Sequence, residues 1–245
     1  MEYMFGLHAV KALLEHQASS IKEIYFTMST RNPRLAALES QAKKLNCAIQ
    51  YLPSKELSRM VDGHRHQGVV VALAASAQPK PTTDLFGFIQ ACDEPLFLLV
   101  LDGVQDPHNL GACLRSADAA GVDAVIAPKD KSAGLTSVVR KVACGAAETV
   151  PFFQVTNLAR TLQQLKDYNI WIIGADADGE QALYKTDFTT SIALVLGAEG
   201  SGLRRLTKEN CDQCVTIPMH GSVESLNVSV AASIMMYEVV RQRQG

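Results

Sequence analysis

Apolar residues in the first third of the chain switch repeatedly between a period near 3.6 and a period of two. Leu7, Val10, Leu13 and Leu14 recur at helical spacing and predict a helix over residues 6–16. Residues 21–26 alternate as a strand does, Pro33 opens a second helix running to about Lys44, and 49–52 reads as a short strand. Ser54 then caps a helix reaching Met60, and 67–73 is an apolar strand. Together these elements predict a compact α/β module.

Residues 74–83 are small, polar and broken by Pro79 and Pro81; they follow neither period and predict a linker, with a short helix from Asp84 belonging to the next domain. From Pro95 the pattern becomes β-α-β-α. Strand-like runs cover 96–101, 124–127, 150–153, 170–173, 192–196 and 215–217, and helix-like segments cover 110–120, 136–147, 158–168, 203–210 and 228–242. Near-continuous apolar strands alternating with helices predict a parallel sheet with helices on both faces. Ligands of such sheets bind beyond the carboxyl ends of the strands. The expected domains are 1–75 and 94–245, joined by a linker over 76–93.

At 245 residues, with 47% hydrophobic and 20% charged side chains, the chain has the balance of a soluble globular protein of one large or two smaller domains. No apolar run approaches the ~20 residues of a membrane span, so no membrane partner is expected. Residues 1–6 lack the basic start and apolar core of a signal peptide, which makes the cytoplasm the expected compartment. The six cysteines are scattered in mostly apolar surroundings, as buried free thiols in a reducing compartment are. Cys211 and Cys214 form a C-x-x-C, but no second pair or histidines follow at zinc-site spacing, and no metal is expected.

The net charge of −2 argues against a bulk nucleic-acid binder. Its distribution modifies that. Residues 1–76 hold nine Lys/Arg against six Asp/Glu and four of the six histidines, whereas the remainder holds fourteen against nineteen. A mildly basic front could meet phosphate.

Three motifs sit where predicted strands end. In the first, Asp102-Gly103-Val104-Gln105-Asp106-Pro107-His108-Asn109 leads into a helix for which Asn109 is a good N-cap, and Arg115 follows six residues later, nearly two turns on. Arginine suits ribose and phosphate because its five donors form a planar fork. In the second, Gly197-Ala198-Glu199-Gly200-Ser201-Gly202, three glycines allow close backbone approach to a ligand. The spacing is neither a dinucleotide fingerprint nor a P-loop, and Glu199 would disfavour a phosphate while suiting a cationic or hydroxyl-rich ligand. In the third, Ile217-Pro218-Met219 could wall an adenine, and Ser225-Leu226-Asn227 stands at the start of the last helix, where side chains and backbone amides are both available. His108 and His220 read as ordinary loop histidines.

Taken together, Asn109-x5-Arg115, Leu196-Gly197-x-Glu199-Gly200-x-Gly202-Leu203 and Ile217-Pro218-Met219…Ser225-Leu226-Asn227-Val228-Ser229-Val230-Ala231 resemble the three signature motifs of the SpoU/TrmH family of SPOUT-class RNA ribose 2′-O-methyltransferases. The resemblance spans roughly 95–243, and the N-terminal module resembles the family's small substrate-binding domain. Within the family, the two-domain layout is most similar to bacterial enzymes that methylate a guanosine of large-subunit (23S) rRNA. The resemblance implies a deep trefoil knot in the C-terminal domain, a fold that topology rules make very rare. It implies S-adenosylmethionine as methyl donor, held by the backbone of Gly197, Ile217 and Leu226 beside Leu196 and Met219. It further implies a homodimer acting on 23S rRNA or a large-subunit assembly intermediate. Arg115 would activate the ribose hydroxyl, with Asn109, Glu199, Ser225 and Asn227 orienting Arg115 and the sugar. Guanidinium deprotonation is strongly disfavoured, so Arg115 is expected to bind ribose–phosphate and lower the hydroxyl's pKa electrostatically. Alternatives open at this point are a tRNA ribose 2′-O-methyltransferase and a catalytically silent RNA-binding protein of the same fold. A dinucleotide-dependent oxidoreductase is disfavoured by the missing fingerprint.

Overall fold

The computed structural model describes residues 3–16, 18, 21–28, 32–73, 80–92, 95–200 and 202–244; residues 74–79 and 93 of the expected linker, and Ser201 of the glycine-rich motif, lie outside the described residues. The chain divides into two compact units, Met1–Gln78 with Leu135–Thr149, and Pro79–Gly134 with Val150–Gly245.

In the first unit, β1 (Tyr3–Phe5), β2 (Ile21–Thr27), β3 (Ile49–Leu52) and β4 (Val69–Leu73) form a sheet in the order β1-β4-β2-β3. β4 runs antiparallel to β1 and β2, and β2 runs parallel to β3. The period-two pattern sorts its side chains: Val69 and Val71 join Leu13 of α1 (Leu7–His16) and Leu38 of α2 (Pro33–Lys44), whereas Val70 joins Phe5 and Leu57 of α3 (Ser54–Met60). β1 is absent from the sequence prediction because three residues are too few to display a period. The helix expected over 136–147 is two helices, α6 (Ser137–Ala143) and α7 (Ala146–Thr149). Cys144 at φ 55° and Gly145 at φ 107° break it, and a Cβ at Gly145 would run into Ala12 of α1. That close approach groups 135–149 with the first unit, although it lies within the span 94–245 expected for the second domain. Arg140 and Glu148, both buried, pair across the break at 2.6 Å.

The second unit carries β5 (Lys80–Pro81), β6 (Phe97–Asp102), β7 (Ala124–Pro128), β8 (Phe152–Val155), β9 (Trp171–Ala175), β10 (Gln181–Ala182), β11 (Ile192–Gly197) and β12 (Gln213–Thr216). They form one sheet in the order β10-β12-β9-β11-β6-β7-β8-β5, with each pairing parallel, as expected of near-continuous apolar strands. Lys80 and Pro81, in the expected linker, supply β5, beside β8, and the short helix expected from Asp84 as part of the next domain is α4 (Thr82–Gln90). Pro81 stands on the sheet's edge, where a missing N–H is tolerated, and Leu85 and Ile89 of α4 are fully buried.

One face of the sheet presents Leu98, Val100, Ile126, Phe153, Ile172 and Val195 to α4 and α8 (Leu158–Lys166). On the other, α5 (Pro107–Ala120) and α10 (Val228–Gln244) pack on one another, and α10 packs on β11. Near the end of α10, Arg243 donates to the carbonyls of Pro95 (3.1 Å), Leu96 (3.1 Å), Phe188 (3.1 Å) and Thr190 (2.6 Å). Burial holds its guanidinium below the usual arginine range, and the side chain closes the amino edge of the sheet. β6, β7 and β8 are laid down in one direction, the chain then returns to β9, and β11 enters between β9 and β6. Strand order therefore reverses beside β6 and β11, the kind of place where open parallel sheets bind ligands.

Candidate active site

β6 and β11 are neighbours in register, Leu101 opposite Leu196 and Asp102 opposite Gly197, so the first two motifs leave the sheet side by side. The helix after β6 is capped differently from expectation. Asp106, not Asn109, is the N-cap: its side chain accepts from His108 N at 2.8 Å, and Pro107 takes the first helical position. Proline there sacrifices an N–H that would have no intrahelical partner. The shift frees Asn109, one turn in, to use its amide elsewhere.

That amide joins the three motifs. Asn109 Nδ2 donates to Glu199 Oε2 at 3.4 Å, and Asn109 Oδ1 accepts from Asn227 Nδ2 at 3.0 Å. Asn227 caps α10, its Oδ1 accepting from Ser229 N at 3.0 Å and Ser229 Oγ at 2.6 Å. A capping residue thus also reaches residue 109 of another helix, and a second contact, Ser233 Oγ to Ser116 Oγ at 2.8 Å, runs alongside it.

The glycine-rich turn folds tightly on itself. Gly202 N donates to Ala198 O at 3.0 Å, Gly200 and Gly202 take φ of 81° and 64°, and a Cβ at Gly197 would collide with the backbone of Gly202 and Leu203. The turn is anchored at its far end. Asp102, its side chain fully buried, accepts from Arg204 N at 3.0 Å and from Arg204 Nε at 2.5 Å, and Arg204 Nη2 pairs with the same carboxylate. Neither Asp102 nor Arg204 is among the expected site residues; an acidic residue ending an otherwise apolar strand is the local signal that points to the first. The helix expected over 203–210 shrinks to α9 (Arg205–Glu209) because the turn consumes the residues before it.

Ile217 and Met219 follow β12, which is separated from β11 by β9; Ile217 is half-buried and Met219 exposed. Leu196 is buried, and Gly197 and Leu226 are half-buried. Ser225 and Arg115 are exposed, and neither makes a hydrogen bond or ion pair to a described residue. The structure therefore links Asn109, Glu199 and Asn227 directly and leaves Arg115 and Ser225 open to solvent. Cys211 is kept protonated by burial, its thiol pushed up to about 12, and Cys214 is raised by the same cause. Among the described residues no group of three metal-ligating side chains converges, and no helix is long and apolar enough to cross a membrane.

Two family models match the chain: "SpoU rRNA Methylase family" over residues 96–237 and "RNA 2'-O ribose methyltransferase substrate binding" over 3–79. The chain is 49% identical over 244 residues to the 23S rRNA (guanosine-2'-O-)-methyltransferase RlmB of Bordetella pertussis, covering 100% of this chain and 98% of that protein. It is 50% identical over 242 residues to RlmB of Escherichia coli K12, covering 99% of each. Among solved structures, the SpoU methyltransferase AviRb of Streptomyces viridochromogenes, in complex with AdoMet, superposes with a TM-score of 0.81 at 22% identity, over 99% of this chain and 90% of that one.

Proposed function

Because the chain belongs to the SpoU rRNA methylase family, we propose that it transfers a methyl group from S-adenosylmethionine to the ribose 2′-hydroxyl of a guanosine in 23S rRNA, as its relatives' names state for them. The observation that carries the reading is the amide of Asn109 bridging Glu199 and Asn227, residues 90 and 118 positions away in the chain.

The segments at the site suit such a donor. An adenine needs apolar walls and backbone groups that can read its edge; Leu196, Ile217, Met219 and Leu226 supply the walls. Residues 217–226 run outside helix and strand, so their amides and carbonyls are available to a ligand. Gly197, where no side chain fits, lets the backbone of Gly202 and Leu203 close against it. S-adenosylmethionine, when bound, supplies an electrophilic methyl group on a positively charged sulfur.

The chain's own residues do the rest. Arg115, exposed two turns along α5, binds the ribose–phosphate with its planar fork and stabilises negative charge growing on the 2′-oxygen, which lowers the hydroxyl's pKa. Glu199, in a turn that would repel phosphate, accepts from a hydroxyl of the sugar. Asn109, Asn227 and Ser225 hold the sugar and the turn in place, so that hydroxyl and methyl group meet with little left to order.

The same reading extends to the whole chain. The first domain, 1–75, binds the RNA: its surplus of basic residues and the substrate-binding family match support this. Entry of β11 between β9 and β6, with α10 returning onto α5, supports a deep trefoil knot in 94–245. Val230 and Tyr237, seven residues apart on one side of α10 and both about half exposed, support burial in a homodimer. The substrate, 23S rRNA or a large-subunit assembly intermediate, puts the enzyme in the cytoplasm.

The test incubates the purified protein with unmethylated 23S rRNA and methyl-labelled donor, followed by partial alkaline cleavage. Label in rRNA and one missing rung after a guanosine are expected, since a blocked 2′-oxygen cannot cut its own strand. Label confined to tRNA, or on a base with the ladder intact, would overturn the assignment.

A further inference from the structure

A cleft of about 500 Å³ opens at the carboxyl ends of β7 and β8, and none of Asn109, Arg115, Glu199, Ser225 and Asn227 lines it. Three cationic side chains reach it from two separate segments: Lys131 from the loop after β7, and Arg204 and Arg205 from the exit of the glycine-rich turn. One carboxylate, Asp130, shares the lining. Asn157, whose side chain accepts from Arg160 N at 3.0 Å, caps α8 at the same cleft, so the positive end of that helix faces it too.

Lys131 and Arg205 can meet an anion. Lys131 is exposed and forms no ion pair with a described residue. Arg205 pairs only with Glu209, one turn along and 52% exposed, a solvated pair of little worth that a better partner displaces. Arg204 belongs to both sites: Asp102 holds it at the end of the turn, yet half its side chain stays exposed in the cleft. A polyanion that reached the turn would therefore run straight into the cleft.

We propose that this cleft binds the phosphodiester backbone of the RNA strand flanking the methylated nucleotide, with Lys131 and Arg205 as its principal phosphate contacts. The inference rests on the rRNA methyltransferase reading for its choice of ligand, and it adds a second RNA contact outside the first domain.

The test is the salt dependence of binding to an unmethylated 23S rRNA transcript, measured for the wild type and for Lys131→Ala/Arg205→Ala. Both substitutions are on exposed side chains, so melting temperature and donor affinity should stay at wild-type values. The variant should bind the transcript roughly tenfold more weakly at about 0.1 M salt, and its slope of log K against log salt should flatten by about 1.4, the release expected from two single-strand phosphate contacts. Lys131→Glu/Arg205→Glu should weaken binding further. Wild-type affinity and slope in both variants would overturn the proposal, and so would variants that bind millimolar inorganic phosphate more weakly than the wild type yet keep its affinity and slope for the transcript, which marks a small-anion site. Methyl transfer by the wild type is scored separately. Transfer with an unaltered slope in the variant refutes the cleft alone, whereas a flattened slope without transfer by the wild type refutes the catalytic reading alone.

Discussion

Replacing Asp102 with alanine should release the glycine-rich turn from the end of β6. The carboxylate accepts Arg204 N at 3.0 Å and Nε at 2.5 Å and pairs with Nη2, and its side chain is completely buried. Loss of one partner of a fully buried ion pair costs about 3–5 kcal/mol, but Arg204 is half exposed and water can take up its guanidinium, which brings the expectation to about 2–3 kcal/mol. For a unit of this size each kcal/mol lowers Tm by about 2–4 °C, so the fall should be roughly 5–10 °C. The backbone of the same turn holds the proposed donor, and a less ordered turn should weaken S-adenosylmethionine binding by about tenfold, or ~1.4 kcal/mol. Thermal unfolding and calorimetric titration of Asp102→Ala, Arg204→Ala and the double variant form a cycle, in which the two residues should couple by at least about 1 kcal/mol. Additive losses, or an Asp102→Ala variant that melts and binds donor as the wild type does, would refute the anchoring argument.

Arg115→Lys keeps the charge but loses the planar fork, and turnover should fall by about a hundredfold or more with donor affinity within twofold; loss of donor affinity instead would place Arg115 at the wrong ligand. Gly197→Ala puts a Cβ into the backbone of Gly202 and Leu203, so donor binding by calorimetry should be abolished or the protein should melt early; wild-type behaviour would mean the turn is looser than described. Glu238, 5% exposed, is held below its usual 4.5 chiefly by the hydrogen bond from Arg241. A carboxyl with a depressed folded-state pKa stabilises fully above its unfolded value, and that contribution fades as pH falls below about 4.5. The melting-temperature gap between wild type and Glu238→Gln should therefore be present at neutral pH and close below pH about 4.5; a gap constant down to pH 3 would refute the ion pair's role.

Much of the fold was legible because its signals are local. The alternation in 21–26 and the helical spacing of Leu7, Val10, Leu13 and Leu14 arise between residues two to four apart, and both elements appear where expected. Continuously apolar runs announced a parallel sheet, since a strand buried on both faces leaves no polar side to display. The glycines of the second motif were readable as a turn because positive φ at Gly200 and Gly202 is a property of single residues. The site was legible in part. Asn109, Glu199 and Asn227 come together as a group, but Asn109 was assigned the wrong local task, because Asp106 and Asn109 are both good caps and only the position of Pro107 in the folded helix decides between them.

By itself, then, the sequence determined most of the longer strands and helices and the glycine turn, and it placed three motifs at the strand ends. Only the tertiary structure decided that Asp102 meets Arg204, that Asn109 bridges two other motifs, that Lys80 and Pro81 join the sheet and that 135–149 joins the first unit. The physical reason is range. A side chain's effect on its own backbone is written within a turn or two, whereas a partner a hundred residues away depends on which strands end up adjacent, and that order is settled by the packing of the whole sheet.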